Sequence, residues 1–236
     1  MQRTPMAHGL KSSLILSLIL AIGLSLKVSL MSLIVIINAF IDIYAFNYLR
    51  LKINKMKAKD ITLIAMLLIP YVLFVKLNIY LALPIILLIT YVGSSLKRKH
   101  VISNISGSSF LSSMSLVWLS MISNIVVYQF IIIFSWIMFT LTLALIVEYK
   151  LPFRNIVKIK AIGYTLPLIL MAVILTYLIS RNYYLLGLYL FPLIALFSLG
   201  NKINNIKEIK KIGKIGMYSS VLFVLLSILM YRLLII

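Results

Sequence analysis

Acidic residues are what this sequence lacks most. Of its 236 residues only four are Asp or Glu, against 23 Lys and Arg. Charged residues make up 11% of the chain, less than half of the roughly 25% typical of a soluble domain. So little polar surface does not cover a water-soluble globule, and a soluble enzyme is excluded first. Cysteine is absent, which removes disulfides and thiol chemistry. Histidine occurs only at His8 and His100. Neither belongs to a zinc-spaced cluster or a Ser-His-Asp set, and the chain carries no Walker motif and no GxGxxG.

What is present is hydrocarbon. Hydrophobic residues reach 63%, and the mean hydropathy is +1.14. Nine apolar segments recur: Ser12–Leu26, Val28–Leu49, Ile61–Val75, Ile79–Gly93, Ser108–Ile122, Ile125–Tyr149, Ala161–Ile179, Tyr183–Leu199 and Ile215–Ile235. A helix needs about 20 residues to cross a ~30 Å hydrocarbon core. Segments one, three, four and five reach that length only with their polar flanks. Strand alternation is missing, and a spanning segment must satisfy its own backbone, so the spans are helices. The expected fold is one all-α bundle over 1–236, crossing the membrane about nine times.

The net charge of +19 first suggests a nucleic-acid partner. Its placement excludes one, because the cations lie on separate loops between apolar runs rather than on one surface. They fall in the N-terminal tail and in the connections after segments two, four, six and eight, which together hold 19 of the 23. Lys27, Lys76, Arg181 and Arg232 are the four on the alternate side. Cytoplasmic loops are enriched in Lys and Arg. The alternation therefore predicts a multi-pass protein of the cell membrane, with its N-terminus inside and membrane lipids as partners.

Several residues interrupt this background. Pro70, Pro84, Pro167 and Pro192 fall inside spans, where a missing N–H can kink a helix. Asp42 lies about 12 Å along a helix from the basic end of span two, and Asn38 precedes it by one turn on the same face. A carboxyl at that depth is a candidate proton, cation or metal site. The alternative is a structural acid paired with a snorkelling lysine such as Lys97. Glu148 ends span six beside Lys150 and reads as an interfacial acid. Asp60 and Glu208 fall in basic connections and read as solvated.

Span four ends in Tyr91, Ser95, Lys97, Arg98 and Lys99, and span five opens with Ser103, Asn104 and a run of serines. Small residues allow close helix packing. The other reading is a hydroxyl-lined cavity mouth beside cations, suited to an anionic headgroup or pyrophosphate. Ile203, Ile206, Ile209, Ile212 and Ile215 recur every third residue among lysines. Residues 201–214 therefore read as a basic amphipathic connection on the inner membrane face, broken at Gly213 and Gly216 before the last span.

Nine helices, with polar motifs at the basic ends of spans two, four and six, resemble the UbiA-type intramembrane prenyltransferases. Asn38-Ala-Phe-Ile-Asp42 matches two positions of that family's Asn-Asp-x-x-Asp-x-x-x-Asp motif, with Ala39 and Phe46 where acids stand. Tyr91 to Arg98 with Asn104 is similar to its span-four element, and Glu148 alone stands for its second acidic motif. The Pro5, His8 and Gly9 segment, with Lys207–Tyr218, resembles the uncharacterised YwiC-like membrane family. The resemblance implies a lipid or isoprenoid ligand in a cytoplasm-facing cavity holding Asn38, Asp42, Tyr91, Ser95, Lys97, Arg98, Asn104 and Glu148. Mg²⁺ is implied only for active prenyl transfer. A small-solute transporter is the further alternative, and no catalytic residue is assigned.

Overall fold

The structure is a computed structural model that describes residues 7–26, 29–50, 57–203 and 206–235. Arg3, Lys27, Lys52 and Lys55, and the Pro5 that opens the N-terminal motif, lie outside the described residues. The described residues are helical with short connections and no strand. Six helices are long and apolar enough to cross a membrane, the make-up of a multi-pass membrane protein. The chain divides into two compact units, 1–125 and 126–236.

Unit 1 holds α1 (Ala7–Ser25), α2 (Leu30–Arg50), α3 (Ala58–Phe74), α4 (Ala82–Leu96) and α5 (His100–Ile122). The other four helices all pack on α5. Its faces therefore carry small residues: Ser109, Ser112, Ser113 and Ser115 are fully buried. Asp60 closes the first turn of α3, accepting from the Lys57 N–H and the Tyr48 hydroxyl, both at 2.9 Å. It is buried rather than solvated, because a helix start supplies orphan N–H groups that an acid satisfies.

Unit 2 holds α6 (Val127–Lys150), α7 (Lys158–Ser180), α8 (Leu190–Phe197) and α9 (Ile206–Ile235). The first of these packs on the other three. Trp136 and Phe139 of α6 meet Phe223 of α9 at ring-centroid distances of 5.5 and 5.3 Å, and Phe191 of α8 closes on Phe223 at 5.2 Å. Such rings bind by edge and offset contacts. Two expectations fail on α9. It runs unbroken through Gly213 and Gly216 for 30 residues, about 45 Å, so residues 206–214 are the start of the last helix rather than a separate surface segment. Isolated glycines cost a helix only about 1 kcal/mol each, too little to end one so long.

The two units repeat one element order, helix–helix–3₁₀ turn–helix–helix, over α2–α5 and α6–α9. The turns are Ile79–Leu81 and Tyr184–Tyr189. Each follows an asparagine that caps the chain two residues on: Asn78 accepts from the Tyr80 N–H at 3.0 Å, and Asn182 from Tyr184 at 2.9 Å. Each leads into a helix with proline at its third residue, Pro84 or Pro192. There the missing N–H belongs to a turn without α-helical partners, so these two prolines start helices instead of kinking them. Among the described residues, Pro70 and Pro167 are the prolines in helix interiors, beyond the first turn.

Candidate functional site

Asp42 is 2% exposed, in the body of α2. Its Oδ2 accepts from the Tyr71 hydroxyl of α3 and from Asn38 Nδ2, the latter at 3.5 Å. Trp118 Nε1 of α5 donates to the same Tyr71 hydroxyl at 3.2 Å. Three helices thus meet on one carboxyl through neutral donors. Lys97 is not its partner and is exposed. Asn104 stands fourteen residues before Trp118 on α5, about 21 Å along the axis. Asn38 and Asp42 therefore form one site, and the span-four residues lie elsewhere.

Those residues build a helical hairpin. Ser95 and Ser103 share a hydrogen bond of 2.5 Å across α4 and α5. One turn further in, Tyr91 lies on Gly107, where a Cβ would stand 3.0 Å from the ring. Arg98 takes a left-handed conformation in the turn, φ 54°, and its side chain is exposed, as are those of Lys97 and Lys99. The serine hydroxyls of α5 bond back to their own helix: Ser109 to Ile105 O at 3.0 Å, Ser112 to Ser108 O at 2.9 Å, Ser113 to Phe110 O at 2.7 Å. Hydroxyls satisfied in this way serve close packing rather than a cavity lining.

Glu148 is in unit 2 and buried, with Oε2 2.9 Å from Arg154 Nε. Lys150, its expected neighbour, turns away and donates to Asn201 O at 2.7 Å. Lys202 donates to Arg154 O at 2.5 Å, and the Tyr149 hydroxyl to Gly200 O at 3.2 Å. These bonds tie the C-terminal ends of α6 and α8 together at the basic end of the unit. The space there is small. A pocket among Val147, Lys150, Leu151 and Ile203 measures about 10 Å³, room for one water.

A larger, open depression of unit 2 lies at its other end. Val173, Ile174, Tyr177 and Leu178 line one face of the last turns of α7, and Tyr183 and Leu186 close the opposite wall. The groove measures about 310 Å³ and is open along most of its extent, so it is a shallow surface groove rather than a cavity that encloses a ligand. Ile174 and Leu178 are 58% and 53% exposed. The Tyr177 and Tyr183 hydroxyls bond at 3.0 Å, with ring centroids 5.1 Å apart. Sequence reasoning missed this groove, and also Tyr71, Trp118 and Arg154. The close Tyr177–Tyr183 spacing across a polar turn was the one signal available for the groove.

The prenyltransferase resemblance implies carboxylates bridged by Mg²⁺, which takes oxygen ligands in near-octahedral geometry. The residues do not fit that ion. Asp42 Oδ2 is engaged by two donors and Glu148 Oε2 by Arg154. Among the described residues no three of His, Cys, Asp and Glu gather. No family model matches the chain, and no curated protein or solved structure matches it either.

Proposed function

We propose that this chain is a lipid-binding protein of the cell membrane, crossing it nine times with the N-terminus and the basic connections in the cytoplasm. The observation that carries the reading is the groove of unit 2. It is apolar along its walls, open on one side, and built on a helix long and apolar enough to cross the bilayer. Such a groove takes a hydrocarbon chain without leaving polar groups unpaired. Its position differs from the cytoplasm-facing cavity expected from the sequence, because it lies at the end of α7 remote from the basic connections. The test is native mass spectrometry of protein purified in mild detergent. A bound lipid is expected to survive purification and to fall several-fold in Ile174→Trp, which fills the groove. Wild-type protein that carries no lipid, or equal lipid in both proteins, overturns the reading.

Asp42 supports a second reading, transport coupled to a proton. An ionisable carboxyl buried within a span is a functional-site candidate, and proton relays through membranes are built on such acids. Proteoliposomes with an imposed pH gradient test it. Proton flux that is lost in Asp42→Asn supports it, and flux equal to that of empty liposomes removes it.

A further inference from the structure

We propose that the outer face of α9 binds an anionic phospholipid of the leaflet at the basic end: Lys210, Lys211 and Lys214 hold the headgroup phosphate, and Leu222, Leu225 and Leu229 carry the acyl chains. This site is separate from the groove of unit 2 and does not depend on it.

Helix geometry is the first ground. At about 100° per residue, Lys210, Lys214, Tyr218 and Lys211 fall within an arc of roughly 100°, and all four are exposed. The packed face of α9 is opposite. Ile209 and Ile212 line the small pocket with Val147 and Leu151, a Cβ on Gly216 would stand 4.0 Å from Leu143, and Phe223 is buried. Leu222, Leu225 and Leu229, exposed at 52%, 58% and 54%, continue the lysine stripe along the helix. Cations, a phenol and leucines thus follow one another in the order of a phospholipid's headgroup, ester zone and chains. Tyrosine is enriched at that middle depth. Lys214 to Leu229 covers about 22 Å, half of a bilayer of about 40–45 Å with its headgroups.

Charge is the second ground. Lys210 and Lys214 are four residues apart, and Lys211 and Lys214 three, spacings at which like charges destabilise a helix. Among the described residues no carboxylate pairs with them. Asp42 and Asp60 bond to tyrosines in unit 1, Glu148 holds Arg154, and Glu208 acts on Lys150. The chain ends beyond Ile235, about 32 Å along the axis from Lys214. Topology needs a number of cations, not a shared face. Lys158 and Lys160 at the start of α7 meet that need from positions about 160° apart.

Depth selects the partner. Lys214 adjoins the apolar run that starts at Ile215, and Lys210 lies about 6 Å further out. The headgroup layer is about 5–8 Å thick, so these cations stand within it. A soluble acidic segment would use the lysines and leave the leucine stripe idle, whereas an anionic lipid uses both.

The experiment uses full-length protein in nanodiscs of equal phosphatidylglycerol and phosphatidylcholine, with retained lipids read by native mass spectrometry. Wild type is expected to retain phosphatidylglycerol by about fivefold or more, the effect of one lysine at about 1 kcal/mol. The triple variant Lys210→Gln, Lys211→Gln, Lys214→Gln is expected to bring the ratio near one while keeping its melting temperature. The same three lysines changed to Arg are expected to keep the preference. The control Lys97→Gln, Lys158→Gln, Lys160→Gln removes as much charge from the basic end and is expected to keep it too. A wild type without preference, a preference unchanged in the α9 triple, or an equal fall in both Gln triples overturns the site. Loss of the preference in Ile174→Trp would place the anionic lipid in the groove and overturn it as well. A preference that survives Ile174→Trp leaves the α9 site standing even where the lipid-binding reading of the groove fails. Displacement of the lipid by an equal concentration of glycerol phosphate would overturn the acyl-chain half of the proposal.

Discussion

Tyr71 holds two partners with one oxygen. Its hydroxyl donates to Asp42 and accepts from Trp118 Nε1, so it joins α2, α3 and α5 at a single atom. Tyr71→Phe leaves an indole N–H and a carboxyl oxygen short of a partner at once. Interhelical hydrogen bonds in membranes average about 0.6 kcal/mol and reach about 1.7. The loss of two is expected to cost about 1–2 kcal/mol in a reversible unfolding assay in mixed micelles. Asp42→Asn keeps the size and the acceptor, and is expected to cost less than Tyr71→Phe. The double variant is expected to fall short of the sum by about 0.5 kcal/mol or more, as contacting residues do. Strict additivity would show that the two side chains do not share the bond. Asp42 was legible in the sequence because an acid within an apolar run stands out. Tyr71 and Trp118 were not, because aromatic residues in such a run are ordinary and their pairing depends on how three helices rotate.

At the scale of the element, two glycines on helices give opposite expectations. Gly107 faces Tyr91 so closely that a Cβ would lie 3.0 Å from ring carbons, while at Gly213 an added Cβ meets nothing within 4 Å. Gly107→Ala needs the Tyr91 ring to give by a few tenths of an ångström within the α4–α5 contact, so it is expected to destabilise by about 1–3 kcal/mol, the usual cost of overpacking. Gly213→Ala gains helix propensity in open space and is expected to stabilise by about 0.5–1 kcal/mol. Melting temperatures of the two variants test both signs. A gain at Gly107 would mean that the α4–α5 hairpin is looser than its geometry. Composition revealed that α5 packs tightly, through its serines. It did not reveal that α9 is continuous, because two glycines in a lysine-rich stretch look like a boundary when the packing that carries a helix through them is unseen. The prolines misled for a related reason. Pro84 and Pro192 lie within apolar runs, yet an asparagine-capped 3₁₀ turn resets the helix start just before each of them.

For the whole molecule, the charge alternation of the sequence predicts nine crossings, while among the described residues six helices have the length and composition for one. The other three elements decide the topology. The third helix has 17 residues, about 26 Å. It nevertheless reaches from end to end of unit 1, since Asp60 bonds to Tyr48 near the basic end of α2 and the Lys76 N–H bonds to Ser120 O near the far end of α5. In unit 2 the 3₁₀ turn and α8 together span Tyr184–Phe197, about 24 Å at their respective rises. Gly200 and Asn201, just beyond, bond to the basic end of α6, so this short element also covers the depth of its unit. A shortfall of a few ångströms is accommodated by local thinning of the bilayer at modest cost. The first helix is continuous over 19 residues, about 28 Å, which is adequate. Absence of native cysteine makes the test direct, because any introduced thiol is the only one. Leu77→Cys and Tyr184→Cys, at 93% and 77% exposed positions, are expected to react with an impermeant maleimide from outside intact cells. Lys99→Cys and Asn201→Cys are expected to react only in inverted vesicles. Reaction of Leu77→Cys and Lys99→Cys from the same side would mean that α4 does not cross. The same result for Tyr184→Cys and Asn201→Cys would reduce the 3₁₀–α8 element to a re-entrant segment and reverse the side assigned to everything after it, including the basic start of α9.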